Sequence, residues 1–104
     1  DGLLNLSRLN ADVDYIIDSL IPTPLIFDQI KNQGKIGVDE MFQVFNMGVG
    51  FCVIVASAHA SEALAILNKT SEGVQRIGTV VRGNRQIEIK AHSLVSRNGQ
   101  FTHK

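Results

Sequence analysis

Asn46 lies just ahead of Gly48 and Gly50 in the string Glu40-Met41-Phe42-Gln43-Val44-Phe45-Asn46-Met47-Gly48-Val49-Gly50-Phe51. A carboxamide donates and accepts hydrogen bonds at once, and glycines lack the Cβ atoms that would keep a ligand away from backbone N–H groups. The chemistry on offer is recognition and positioning of a polar ligand. A purely structural turn would use the same residues, because glycine serves both needs and an asparagine ending a helix is ordinary capping chemistry. Gly48-Val49-Gly50 precedes an apolar run instead of joining a strand to a helix, which is the wrong order for a dinucleotide fingerprint. Gly2 is the other candidate. Asp1-Gly2 sits just upstream of a predicted helix, where glycine-led N–H groups form a natural cradle for phosphate.

The usual catalytic constellations have little support, and no residue is assigned a catalytic role. His59, His92 and His103 follow no zinc-binding spacing, so no metal site is expected. The single cysteine, Cys52, lies inside an apolar run and reads as a small core residue suited to a reducing compartment. Asp12, Asp14, Asp18, Asp28, Asp39 and Glu40 are explained as strand edges or helix caps. The sequons Asn5-Leu6-Ser7 and Asn68-Lys69-Thr70 carry no meaning in a cytosolic chain.

The elements that must position the bend follow from periodicity. Leu3, Leu4, Leu6 and Leu9 recur near helical spacing, and Val13 to Asp18 alternates as a half-buried strand with Val13, Tyr15 and Ile17 inward. Pro24 can start a helix whose buried stripe is Leu25, Ile26, Phe27 and Ile30 and whose stop is Gly34. Asp39 is the expected N-cap of the next helix, which runs to Phe45. Gly48 to Ala56 reads as a central strand covered on both faces. Ser61 to Lys69 is a helix and Arg76 to Arg82 a strand, together giving a right-handed crossover. Gly83-Asn84 is a tight reversal into an alternating strand from Gln86 to Ala91. The predicted fold is α+β, a small mixed β-sheet flanked by helices. Residues 1–91 are expected to form the domain, with 92–104 a tail or edge hairpin.

Bulk properties narrow the function classes. A chain of 104 residues with 44% hydrophobic content fits one core. Ten basic and ten acidic residues cancel, which gives no support to nucleic-acid binding. The longest apolar run, Met47 to Ala56, is too short for a membrane span, and no signal peptide is recognised at Asp1-Gly2. The first residue is not methionine, so a piece of a longer polypeptide is expected.

The same residues carry a resemblance. Glu40-Met41-Phe42 with Phe45-Asn46-Met47-Gly48-Val49-Gly50 resembles E-M-[YF]-R-T-F-N-M-G-[IV]-G of the phosphoribosylformylglycinamidine cyclo-ligase (aminoimidazole ribonucleotide synthetase, or AIR synthetase) family, in its C-terminal domain. Asp1-Gly2-Leu3-Leu4-Asn5-Leu6 is similar to the remainder of that domain's T-G-G-G opening. Pro24 to Phe27 with Gly34, Ala63-Leu64-x-Ile66-Leu67-Asn68 and Ile77-Gly78 fall in register, so the likeness runs from Asp1 to about Glu88. Gln43 and Val44 stand where many members carry Arg and Thr, and contacts made by those side chains do not carry over.

The resemblance implies an AIR synthetase C-terminal domain-like fold and a cytoplasmic ligase of purine biosynthesis. Such a ligase uses ATP and Mg to close formylglycinamidine ribonucleotide into aminoimidazole ribonucleotide, work done largely by positioning and charge stabilisation. It further implies that ATP and Mg are bound mainly by an N-terminal domain, that the parent is a homodimer, and that Gly2, Asn46 and Gly48 contact substrate. A fragment of this kind is expected to be inactive alone. A stand-alone small-molecule binding or regulatory module, and a purely structural interaction domain, are the competing classes.

Overall fold

The computed structural model describes residues 2–104, so the expectation placed on Asp1 lies outside the described residues. A 3-10 helix, Gly2–Arg8, leads into β1, Val13–Ile17. Two α-helices follow, α1 (Leu25–Gly34) and α2 (Val38–Val44). Beyond an irregular stretch come α3 (Ala60–Leu67), β2 (Gly78–Arg82), β3 (Ile87–Ile89), β4 (Leu94–Arg97) and β5 (Gln100–His103). The strands form one mixed sheet in the order β2-β1-β3-β4-β5, parallel between β1 and β3 and antiparallel elsewhere. The fold is α+β, in agreement with the pattern in the sequence.

Period-two alternation in β1 turns Tyr15 and Ile17 inward, and β3 adds Ile87 and Ile89, neither of which has exposed surface. Met41 and Phe42 of α2 and Leu3 and Leu4 of the 3-10 helix pack into the same core. Full burial of each such side chain contributes roughly 1.5–3 kcal/mol. The β4–β5 hairpin completes the core with Leu94 and Phe101, the Phe101 ring meeting Phe42 edge-on at 6.3 Å. Gln43 fastens this hairpin to α2: its Nε2 donates to the Gly99 carbonyl at 2.7 Å, and its Oε1 accepts from the Phe101 N–H at 2.9 Å. Buried Ser96 accepts the Ile87 N–H at 2.8 Å, so the core side of β3 keeps no orphan donor there.

Several expectations need correction. In α1, Leu25 is 78% exposed and Ile26 56%, because the helical period turns only Phe27 and Ile30 toward the core. The N-cap of α2 is Gly37, and Asp39 lies in the first turn, where its carboxylate still faces the positive end of the helix dipole. Gly83-Asn84 does not close a hairpin, since β1 lies between β2 and β3. The turn instead wraps the end of β1, where Asp14 Oδ1 accepts from the Asn84 and Gln86 N–H groups at 2.8 and 2.9 Å.

The largest departure is the segment 48–56, which is not a strand, and with it goes the expected crossover. Apolar content qualifies a segment for burial, but a ladder needs a neighbouring backbone to pair with. Among the described residues none supplies one to 50–56.

Candidate functional site

The bend that joins α2 to this unpaired segment is built by three local devices. Phe45 leaves the helix in extended conformation while its N–H still reaches the Met41 carbonyl. Met47 and Gly48 then adopt left-handed backbone, φ 54° and 96°, and the Val49 N–H closes the turn on the Asn46 carbonyl at 3.0 Å. The Asn46 side chain braces it, its Oδ1 accepting from the Gly48 N–H at 2.8 Å. Met47 is buried in the core and pins the turn from inside, whereas Asn46 and Gly50 remain exposed.

Two glycines are dictated by close approach. A Cβ at Gly2, itself at φ 49°, would come within 2.6 Å of the Asn46 Cα and the Phe45 carbonyl oxygen. A Cβ at Gly48 would come within 2.6 Å of Pro24 Cδ, so this glycine lets the bend lie against the loop that enters α1.

Gly2 and Asn46 thereby meet at the rim of an open crevice of about 400 Å³. Phe27 and Phe45 contribute the aromatic part of its wall, in edge-to-face contact at 5.9 Å, while Asn5 and Gly50 also reach its lining. An adjoining hollow of about 280 Å³ shares Gly2, Asn5, Val49 and Gly50 and extends along Phe51 and Cys52. Gly48 lines neither, and touches the site through the hydrogen bond it gives Asn46.

Among the described residues neither lining includes a charged side chain, so the polar groups it presents are carboxamides and peptide groups. Asn5 stands in the sequence only as part of a sequon. Its position three residues beyond Gly2, one turn along a 3-10 helix, was the available signal. Cys52 is half-buried, and burial pushes its thiol pKa up.

The histidines are not brought together. His59 lies 3.7 Å from Glu62, His103 lies 3.8 Å from Asp39, and His92 packs on the Phe42 ring. Among the described residues there is no group of three or more His, Cys, Asp or Glu that could hold a metal ion, and no helix long and apolar enough to cross a membrane.

Comparison with known proteins adds a lineage to this geometry. The family described as AIR synthase related protein, C-terminal domain, matches residues 3–90. The chain is 43% identical over 93 residues to the phosphoribosylformylglycinamidine cyclo-ligase of Methanocaldococcus jannaschii, covering 88% of this chain and 25% of that protein. It is 40% identical over 90 residues to the enzyme of the same name from Methanothermobacter thermautotrophicus, covering 86% of this chain and 25% of the relative. The Staphylococcus saprophyticus enzyme is 43% identical over 68 residues, 65% of this chain and 20% of that protein. The chain thus spans about a quarter or less of the length of these relatives. No solved structure matches it.

Proposed function

The chain belongs to the family of the AIR synthase related protein C-terminal domain, and on that premise we propose that it is the substrate-side domain of an ATP-dependent cyclo-ligase. Its parent reaction is the closure of formylglycinamidine ribonucleotide to aminoimidazole ribonucleotide in cytoplasmic purine biosynthesis. The observation that supports this most is the open crevice at the Asn46 bend in a chain 43% identical to a cyclo-ligase over 88% of its length.

Gly2 and Asn46 are the substrate contacts of this reading. Gly48 serves them by holding the Asn46 carboxamide in place. The domain of this reading covers 1–91, with 92–104 the edge hairpin whose Leu94 and Phe101 enter the same core.

The described residues do not fit Mg or ATP. Among them the crevice lining has no carboxylate for the cation and no Lys or Arg for a triphosphate. Both are therefore assigned to the N-terminal domain of the parent, and no step through them is given to this chain. The parent is read as a homodimer.

The experiment is a chimera in which this chain replaces the matched stretch of the Methanocaldococcus jannaschii relative. The chimera is expected to form aminoimidazole ribonucleotide from formylglycinamidine ribonucleotide with ATP and magnesium. The chain alone is expected to turn nothing over and to bind the substrate weakly in a calorimetric titration. A folded but inert chimera would overturn the reading.

A further inference from the structure

Residues 50–56 have the composition of an interior strand and none of its pairing. Phe51 is 88% exposed, Val53 52%, Ile54 48% and Val55 42%. Alternation in an extended segment sets Phe51, Val53 and Val55 on one side and Cys52, Ile54 and Ala56 on the other, so both faces are apolar. Among the described residues, no backbone N–H from 50 to 56 has a backbone acceptor. The helix that follows, α3, has no buried residue although Ala63, Leu64, Ile66 and Leu67 are apolar. Exposed apolar side chains thus recur from Phe51 to Ile66, with Ser57, His59, Ser61 and Glu62 among them.

We propose that residues 50–56 are a docking strand that completes a β-sheet with uncharged, apolar strands of the additional polypeptide present in the relatives; the identity of that partner rests on the function proposed above.

Four observations select this occupant. Relatives of which the chain covers 25% have the length to supply it. From Met41 to Ser61 there is no Asp, Glu, Lys or Arg, so the strip offers a partner nothing to pair with a charge. Among the described residues neither edge of the segment is paired, and the face of Phe51, Val53 and Val55 is exposed while Cys52 on the other packs against the core, whereas a second copy docked by two-fold symmetry would supply a strand to one edge only. Finally, Val49 and Gly50 line the crevice and the adjoining hollow together, while Phe51 and Cys52 line the hollow. A strand laid along 50–56 therefore walls the hollow and closes one side of the substrate groove.

Amide hydrogen exchange in the chimera and in the free chain tests the proposal. Amides of 51–56 are expected to exchange nearly freely in the chain alone and roughly a hundredfold or more slower in the chimera. Phe51→Asp combined with Ile54→Asp should abolish that protection. Equal rates in chain and chimera overturn the proposal. So does protection in the free chain that rises with its concentration, which would make a second copy the occupant. Should the chimera not fold, the intact Methanocaldococcus jannaschii relative is read at the aligned positions, where fast exchange overturns the proposal equally. Cyclisation is assayed alongside: activity with unprotected 51–56 refutes the docking alone, and protection without activity refutes the proposed function alone.

Discussion

Gly2 packs so tightly on Asn46 that a methyl group at position 2 would reach within 2.6 Å of the Asn46 Cα. The start of the 3-10 helix and the end of α2, far apart in sequence, are held at one point by the absence of a side chain. Gly2→Ala should therefore destabilise the chain through both the clash and the left-handed φ of 49°, by about 1–3 kcal/mol. Urea unfolding measures this, and an unchanged midpoint would show that the two segments separate freely.

Asn46 has two tasks that substitutions can separate. Its Oδ1 braces the turn through the Gly48 N–H, and aspartate can do the same. In the chimera, Asn46→Ala should lower kcat/KM by roughly tenfold or more and stability by only about 1 kcal/mol. Asn46→Asp should restore the stability but not the activity, since it brings negative charge to a groove read as binding a ribonucleotide. Parallel loss of melting temperature and activity in both variants would reduce Asn46 to a cap.

Gln43 holds the C-terminal hairpin with both ends of its amide. Gln43→Ala should release the Phe101 amide to faster hydrogen exchange and cost about 1–3 kcal/mol, because it removes a donor and an acceptor from partners at 2.7 and 2.9 Å. Exchange of Phe101 at the wild-type rate would mean that the β3–β4 ladder and the Phe42–Phe101 contact secure the hairpin without Gln43.

Cys52 should be a slow thiol. Burial raises its pKa above the ordinary value of 9.0, so less thiolate is present at neutral pH than in an unfolded chain. Alkylation by iodoacetamide at pH 7.5 should accelerate on adding urea. The linkage has a definite sign: the folded state holds its proton longer, so this stabilisation is complete below the unfolded pKa and is lost as pH rises through the folded one. Equal alkylation rates with and without urea would contradict it.

Much of this architecture was legible in the sequence wherever a local rule and the tertiary setting agreed. Tyr15 and Ile17 alternate in β1 as written, and the apolar pattern of Ala63 to Leu67 is helical. The bend at Asn46 was legible in Gly48 and in the bracing asparagine side chain, though not in Met47, whose left-handed φ of 54° its residue type does not announce. Periodicity could not reveal which strands become neighbours: Gly83-Asn84 has the chemistry of a hairpin, and only the Asp14 carboxylate shows that it wraps β1 instead. The pattern of residues 50–56 likewise encodes a buried strand without saying whose backbone it pairs with. The place of Asn5 in the crevice lining is not legible, because it depends on where the 3-10 helix lands.

The parallel pairing of β1 with β3 has a temporal implication. Val13 meets Arg82 and Tyr15 meets Ile87, so β1 has no partner near it along the chain. On the ribosome, β1 emerges early and must wait, its inward side chains exposed, until β2 and β3 have been made. Assembly of the sheet is thus a late, loop-closing event, and the interval before it is when this polypeptide is most vulnerable to aggregation.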